Sequence, residues 1–408
     1  MQHPGSFTDY AERLYAFMEA SVLVDGATPA STTRPSPSFE ELATQLFSLQ
    51  IAHNPCYAAF CRGRLKGGHV PETWRQIPAM PTAGFKELEL SCLPTAQRTH
   101  VFHSSGTTQD RPSRHFHSPE SLQIYERSLL AWSQPHLAPD SRARATEPRP
   151  LILNLTPTAQ AVPQSSLVHM LKVLASHFAP ESEHFLGQVD PQGGWSLNVE
   201  SFLTPVQRNA SPTRPVWVLG TAFNFVHLLD NLEALRTRVD LPPGSRVMET
   251  GGYKGRSRRL EKEALHAWIS EKLGVSRDHI LCEYGMSEVS SQAYDSVIPC
   301  PGTKAASSSR RFRFPPWARA LILSPETGLE VVDGEIGLIR IVDLANAFSV
   351  MAVQTEDLGR RRGDGFELLG RAEQAEPRGC SLQSTELAPS SQSPGSPPQA
   401  DHPNSNLR

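Results

Sequence analysis

The stretch HSSGTT at residues 103–108, followed by Arg111, Ser113, Arg114 and His115, sets hydroxyls, a glycine and cations side by side. The oxygens of a triphosphate need hydrogen-bond donors, and their charges repel one another, so arginines must supplement the hydroxyls. Glycine lets the backbone approach closely and turn its N–H groups toward an anion. The stretch therefore indicates a polyphosphate-binding loop. The alternative is a plain turn, because the Gly-Lys-Ser/Thr ending of a P-loop is absent.

Three further segments follow along the chain. They are ETGGYK at residues 249–254, EYGMSE at 283–288, and QTEDLG at 354–359 with Gly370 and Arg371 beyond it. Their order resembles that of the adenylate-forming enzymes, which carry Ser/Thr-Ser-Gly-Thr-Thr, a Gly-Gly adenine segment, Tyr-Gly-x-Thr-Glu, Thr-Gly-Asp and a hinge Gly-Arg. The resemblance implies a layered α/β large domain that uses ATP.

The residue sequences of four other segments are similar to segments of the acyl-protein synthetase family (LuxE, long-chain-fatty-acid–protein ligase). These segments are Phe85-Lys86, SSLVHM at 165–170, GGYKGR at 251–256 and RGCSL at 378–382. The likeness runs from about residue 38 to residue 383. It implies ATP-dependent activation of a fatty acid to an acyl-adenylate, with transfer of the acyl group to a protein thiol.

The resemblance also assigns roles at the nucleotide. Tyr284 would stack on adenine, Asp357 would accept the ribose hydroxyls, and Glu288 would bind the Mg²⁺ that bridges the phosphates. Asp357 follows Thr-Glu where the superfamily usually has Thr-Gly, but the acidic acceptor is retained. The implied nucleotide contacts are Ser104, Ser105, Gly106, Thr107, Thr108, Arg114, Gly251, Gly252, Tyr284, Gly285, Ser287, Asp357 and Arg371.

Three residues are candidates for the chemistry itself. His169 occupies a place where adenylate-forming enzymes often set an aromatic or histidine beside the acyl carboxylate, although a lone histidine is more often structural. Lys254 would lower repulsion during attack on the α-phosphate, unless it is a surface lysine. Cys380 resembles the acyl-accepting cysteine of the family, and the neighbouring Arg378 favours its reactive thiolate form.

The C-terminal sequence departs from many adenylate-forming ligases. Those enzymes add a small domain with a lysine that contacts the acyl carboxylate, whereas no lysine follows Arg371 here. We therefore expect the usual small domain to be lacking. The missing cation would come from Lys254, from an arginine of the phosphate loop, or from a partner subunit.

Composition narrows the classes of partner and location. The 408 residues carry a formal charge of −3, so no basic field favours nucleic acid or an anionic membrane. The six cysteines show no C-x-x-C spacing, which argues against a structural zinc site and predicts reduced thiols. Neither a signal peptide nor a transmembrane segment is evident, and we expect a cytoplasmic protein.

Apolar runs alternate with helical patterns through the middle of the chain, which predicts parallel strands and helices in layers. Beyond residue 300 the runs at 320–323, 329–332, 336–342 and 366–369 are typical of short antiparallel strands with glycine turns. The predicted organisation is an N-terminal helix and Pro/Ser/Thr linker (1–38), an α/β core (39–300), a small β-rich subdomain with a hinge remnant (301–382) and a disordered tail (383–408).

The sequence thus favours an ATP- and Mg²⁺-dependent acid–thiol ligase that delivers its acyl group to a fatty-acyl reductase. Two alternatives remain open at this stage. One is an AMP-forming acyl- or aryl-CoA ligase, and the other is a degenerate nucleotide-binding subunit without catalysis. The acyl-protein ligase and the CoA ligase differ in the thiol that receives the acyl group. The non-catalytic subunit would not exchange pyrophosphate into ATP.

Overall fold

The computed structural model describes residues 5–22, 36–65, 69–104, 111–139, 149–180, 183–191, 193–209, 213–252, 260–299 and 310–372. The chain divides into two compact units, Met1–Arg371 and Ala372–Arg408. All the elements described below belong to the first unit.

Five of the described helices begin where a hydroxyl or amide side chain caps them. Ser38 and Thr221 each form a capping box, while Ser118 precedes a proline at the first helical position. The helices are α1 (Phe7–Val22), α2 (Phe39–His53), α3 (Pro55–Arg64), α4 (Gly84–Glu87), α5 (Pro119–Leu137), α6 (Ser166–Phe178), α7 (Val199–Asn209), α8 (Ala222–Ala234) and α9 (Lys262–Leu273).

The described strands fall into four sheets. They are β1 (Met80–Pro81), β2 (His100–His103), β3 (Arg114–His117), β4 (Leu151–Asn154), β5 (Glu183–Phe185), β6 (Gly187–Val189), β7 (Trp195–Leu197), β8 (Val216–Gly220), β9 (Arg246–Glu249), β10 (Ile280–Tyr284), β11 (Ala293–Tyr294), β12 (Ala318–Leu323), β13 (Ile336–Asp343), β14 (Ala352–Arg362) and β15 (Gly365–Arg371).

The central sheet has the order β11-β10-β9-β8-β4-β5. Strands β5, β4, β8, β9 and β10 run parallel, and only β11 is antiparallel. The buried runs of β4, β8 and β9 are each followed by a helix, so the predicted alternation is confirmed. The carboxyl ends of these strands meet at one edge, which is where open α/β sheets bind ligands.

A second sheet of five strands, with β1, β14, β13 and β12 in order and β15 beside β14, is mainly antiparallel. The expected β-rich part is therefore present. One predicted strand, at 329–332, is wrong: Glu330 makes a single bridge to Leu323, and Leu329 and Val332 are 70% and 65% exposed. Because these two apolar side chains are exposed, the segment is an irregular connection with one bridge rather than a strand.

Three buried cores hold the layers together. One lies between the central sheet and α8 and α9, another lies between that sheet and α5 and α6, and the third joins α1 and α2 to the antiparallel sheet. In the third core Tyr10 and Leu14 of α1 are fully buried, and the Tyr10 hydroxyl donates to the Leu344 carbonyl at 2.7 Å. Helix α1 thus packs directly on the β-rich part.

Candidate active site

The phosphate-loop sequence joins the two strands of a hairpin, β2 and β3. At its base, the N–H of Ser113 donates to the hydroxyl of Ser104 at 3.0 Å. The Nε atom of Arg114 is buried and has no hydrogen-bond partner within the described residues. An unpaired buried guanidinium nitrogen is costly unless an anion joins it, so this hairpin base fits a phosphate.

Glu288 lies beside this hairpin base. Its carboxylate accepts hydrogen bonds from the hydroxyls of Ser113 at 2.6 Å and Ser287 at 3.0 Å, and the side chain is buried. Among the described residues no group of three His, Cys, Asp or Glu side chains converges on a metal position. A single carboxylate with hydroxyl partners fits Mg²⁺, which completes its shell with phosphate oxygens and water.

A buried network behind Glu288 was missed by sequence reasoning. The Asn346 amide donates to the Glu288 carbonyl at 2.9 Å and to the Val350 carbonyl at 2.7 Å. Asp343 accepts the backbone N–H groups of Ser290 and Ser291, both at 2.8 Å. These bonds fix the backbone at Glu288 and in the residues that follow it.

Helix α2 supports the same network from behind. Gln50 donates to the carbonyls of Asn346 and Ala347 at 2.9 and 3.0 Å, and it accepts the Met351 N–H at 3.0 Å. A continuous set of hydrogen bonds therefore leads from α2 through Asn346 to Glu288.

The glycine pair at the end of β9 has backbone angles that suit glycine, because Gly251 and Gly252 have φ of 55° and 77°. The Gly251 N–H donates to Glu249 at 2.7 Å, and His266 of α9 contacts the other Glu249 oxygen at 3.1 Å. Burial alone would raise the pKa of Glu249, but the His266 contact and the Gly251 N–H outweigh it and lower the pKa. Glu249 therefore stays ionised and orients the glycine turn.

The structure brings Tyr284, Asp357 and Arg371 together. The Tyr284 hydroxyl donates to Asp357 at 2.8 Å, and Arg371, paired with Asp357 between β14 and β15, places its Nε 3.7 Å from the other carboxylate oxygen. Burial raises the pKa of Asp357, while the Tyr284 hydrogen bond and the Arg371 charge oppose that shift. The Tyr284 ring packs against three phenylalanines, Phe312, Phe314 and Phe366.

Gly285 follows Tyr284 for a steric reason. A Cβ atom at this position would collide with Oε1 of Glu283. The small residue thus permits the Glu283 carboxyl group to fold back over the backbone.

His169 of α6 contacts residues of α5 and β2. Its Nε2 is 3.1 Å from Glu126, and its ring is 5.3 Å from Phe102 and 5.7 Å from Tyr125. The other predicted site residues lie outside the described ranges, so their roles stay predictions: Ser105, Gly106, Thr107, Thr108, Lys254 and Cys380.

Comparison with known families gives a match to the acyl-protein synthetase, LuxE, over residues 22–387. The chain belongs to this family. A comparison with curated proteins found no match.

Solved structures show the fold of this family member. A 2-hydroxyisobutyryl-CoA ligase in an open conformation with 2-HIB-AMP and CoA aligns at 12% identity, 85% of this chain, 74% of that chain and a TM-score of 0.57. The same ligase in its postadenylation state aligns at 12% identity over 85% of this chain and 72% of that chain, with a TM-score of 0.58. ATP-bound MatB from Rhodopseudomonas palustris aligns at 18% identity over 68% of this chain, with a TM-score of 0.45, and the match spans 49% of that chain. The chain thus has the adenylate-forming fold.

Within the described residues, none of the helices is both long and apolar enough to cross a membrane.

Proposed function

We propose that this acyl-protein synthetase activates a carboxylic acid, of the fatty-acid type, with ATP and Mg²⁺. The acid carboxylate attacks the α-phosphorus, pyrophosphate leaves, and an acyl-adenylate forms. A thiolate then attacks the acyl carbonyl and AMP leaves. Adenylation is needed because a carboxylate oxygen is itself a poor leaving group.

The observation that carries this proposal is the packing of Glu288 against the hairpin base through Ser113. Because Ser113 precedes Arg114, the hydroxyl-bound carboxylate and the Arg114 Nε, which has no partner among the described residues, meet at the same end of the loop, where β3 begins. When bound, Mg²⁺ would offset phosphate charge, with Glu288 as its protein ligand. We assign the loop residues 104–108 and Arg114 to the phosphates, and Ser287 to the α-phosphate.

The remaining nucleotide contacts follow from the adenine end. In the proposed complex the turn at Gly251 and Gly252 passes one face of adenine, Tyr284 covers the other, and Asp357 accepts the ribose hydroxyls with Arg371 beside it. The Tyr284–Asp357 hydrogen bond supports this assignment because it sets both side chains at one point. Lys254 and His169 are proposed at the acyl carboxylate.

Cys380 is proposed to carry the acyl group as a thioester. The described thiols Cys61, Cys92 and Cys282 are buried, and burial raises the pKa of each, that of Cys61 to about 11. A thiol that stays protonated is a poor nucleophile. These three are therefore unsuited to the transfer, whereas Cys380 has an arginine two residues away.

The first test is exchange of labelled pyrophosphate into ATP with acids of several chain lengths. We expect exchange that requires Mg²⁺. The double variant Thr107→Ala, Thr108→Ala should lose it, and Glu288→Gln should raise the Mg²⁺ requirement steeply, because the amide keeps size but not charge. An unchanged Mg²⁺ titration in Glu288→Gln would remove that residue from the metal site.

The second test identifies the acceptor. Incubation with ATP, Mg²⁺ and labelled acid should label the chain with a group that hydroxylamine releases. Cys380→Ser should lose this label but keep pyrophosphate exchange, with Cys56→Ser and Cys300→Ser as matched controls. Label that appears only when coenzyme A is added, and on coenzyme A alone, would favour an acyl-CoA ligase instead.

The physiological acceptor after Cys380 is proposed to be a fatty-acyl reductase. Crosslinking followed by co-purification from the native cell should recover such a protein. Recovery of no acyl-accepting protein would count against this partner.

A further inference from the structure

A row of polar side chains leads from the phosphate loop into the core between the central sheet and α5. At its outer end, Nδ1 of His115 donates to the Ser287 carbonyl at 2.8 Å. The His115 and His117 rings lie 4.1 Å apart, and the His117 ring is 6.4 Å from that of Tyr125. The row consists of His115, His117, Tyr125, Glu283 and Tyr294.

The inner end of the row is formed across two strands. Glu283 of β10 is the register partner of Tyr294 of β11, so the two side chains share one face of the sheet. Burial and then the Glu283 charge raise the pKa of both Tyr125 and Tyr294, which shows that the carboxyl group lies within electrostatic range of both phenols. Its neighbour Tyr284 lies on the opposite face, toward the phenylalanines.

Two groups of the row lack partners in the described part of the chain. They are the hydroxyl of Tyr294 and the Nε2 atom of His117, both fully enclosed. Protein cores rarely leave such atoms unpaired, because each one loses its hydrogen bonds to water without gaining others. A polar ligand or buried water must supply hydrogen-bond partners for these two groups.

The row is also uncharged at neutral pH. Burial lowers the pKa of His115 to about 4 and that of His117 well below its usual value. Burial, assisted by the Glu249 charge, raises the pKa of Glu283 to about 8. Neutral donors and acceptors suit a hydroxyl group, whereas an alkyl chain would leave them unpaired and an ammonium group would call for a carboxylate.

We propose that this row selects a carboxylic acid that bears a hydroxyl group on its chain, with Glu283 as the specificity-determining residue. The inference rests on the proposed function, since His115 joins the row to the segment that carries Glu288. A site built to hydrogen-bond a substrate hydroxyl rejects the analogue that lacks it, because the site's own polar groups are then buried unpaired.

The test uses the full chain and straight-chain acids of equal length, either unsubstituted or with a hydroxyl at carbon 2, 3 or 4. We expect at least one hydroxy acid to exceed the unsubstituted acid by about tenfold or more in kcat/KM for pyrophosphate exchange. Glu283→Leu should bring this ratio to about one, whereas Glu283→Gln, which still donates and accepts, should retain most of it. Tyr294→Phe should lower it by less than Glu283→Leu.

Thermal shifts with each acid in the presence of ATP provide a binding readout that does not depend on turnover. If the wild-type chain exchanges pyrophosphate with no acid, the proposed function fails, and a larger thermal shift with a hydroxy acid, abolished by Glu283→Leu, still supports the row. Equal values for substituted and unsubstituted acids in both assays would overturn the inference and assign the open groups to buried water. Amino-substituted acids of the same length are assayed beside them, and a preference for one of these would overturn the inference as well.

Discussion

Two buried polar clusters lie on either side of the EYGMSE segment, and they differ in how completely their atoms are paired. In the Asp343 cluster, the carboxylate and the Asn346 and Gln50 amides all have hydrogen-bond partners. In the row that runs from His115 to Glu283 and Tyr294, the Tyr294 hydroxyl and His117 Nε2 have no hydrogen-bond partner in the described chain. A complete cluster stabilises one arrangement, whereas an incomplete one is suited to binding a ligand.

Loss of the Asp343 carboxylate should have the largest effect. Asp343→Ala leaves three backbone N–H groups and the Ser291 hydroxyl without an acceptor, so we expect a loss of about 3 to 5 kcal/mol in the free energy of unfolding. Urea denaturation measures it. Asp240→Ala, which removes an exposed carboxylate paired with Arg238, is the control and should change stability by about 0.5 kcal/mol or less. Equal effects of the two variants would show that the buried hydrogen bonds of Asp343 do not stabilise the fold.

The pH dependence of stability should reveal that the Glu283 carboxyl group in the row is protonated. The pKa of Glu283 is raised to about 8 in the folded chain from a usual 4.5, so between these values the folded chain keeps a proton that the unfolded chain releases. Its contribution to stability is therefore complete below pH 4.5 and is lost as pH rises through about 8. Glu283→Gln should flatten this decline, measured as urea midpoints from pH 5 to pH 8.5. Parallel curves for the two proteins would show that Glu283 is ionised.

The Asp343 cluster should affect nucleotide binding through Glu288. Asn346→Ala removes the donor to the Glu288 carbonyl, and we expect the Kd for Mg·ATP to rise about tenfold, while the Kd for ATP with EDTA changes little. Calorimetry measures both. Gln50→Ala removes the hydrogen bonds that hold residues 346–351 to α2 but keeps the Asn346 bond to Glu288. It should lower stability but preserve the Mg²⁺-dependent affinity. A similar loss of affinity in both variants would make Asn346 purely structural.

The smallest expected effects come from deleting one hydroxyl in each cluster. Ser291→Ala removes a group bonded to Asp343 at 2.7 Å and to Ser128 at 3.0 Å, and it should cost about 1 to 2 kcal/mol. Tyr294→Phe removes a hydroxyl that has no partner among the described residues, and stability should stay the same or rise slightly. Thermal midpoints of the two variants compare the clusters directly. A larger loss in Tyr294→Phe would show that its hydroxyl is already paired.

The sequence predicted the central sheet well because its signal is local. The apolar runs that alternate with helical patterns predicted parallel strands followed by helices, and β4, β8 and β9 have this arrangement. The two-residue strand β1 has no periodicity, and its pairing with Val353 depends on residues more than 250 positions away. Such pairing cannot be read from a local pattern.

The candidate site residues differ in the same way. Glu288, Tyr284 and Asp357 were predicted because they stand in recognisable segments, whereas the contacts of Glu288 with Ser113 and of Tyr284 with Asp357 are visible only in the fold. Asp343 and Asn346 sit in a run that resembles an ordinary turn. Glu283 was part of a quoted motif, but its burial depends on Tyr294 and α5, which no spacing in the sequence reveals.

The support that Gln50 gives to the loop before β14 has a consequence for biosynthesis. The Gln50–Met351 bond joins residues 301 positions apart, and the Tyr10–Leu344 bond spans 334. At roughly 5 to 20 residues per second, a ribosome needs about 15 to 60 s to make the intervening chain. During that interval α1 and α2 have left the ribosome with their apolar faces uncovered, and the Glu288 backbone has no Asn346 amide to hold it. Chaperones that bind exposed apolar helices should therefore meet this chain early, and nucleotide binding should arise only when synthesis has passed β13.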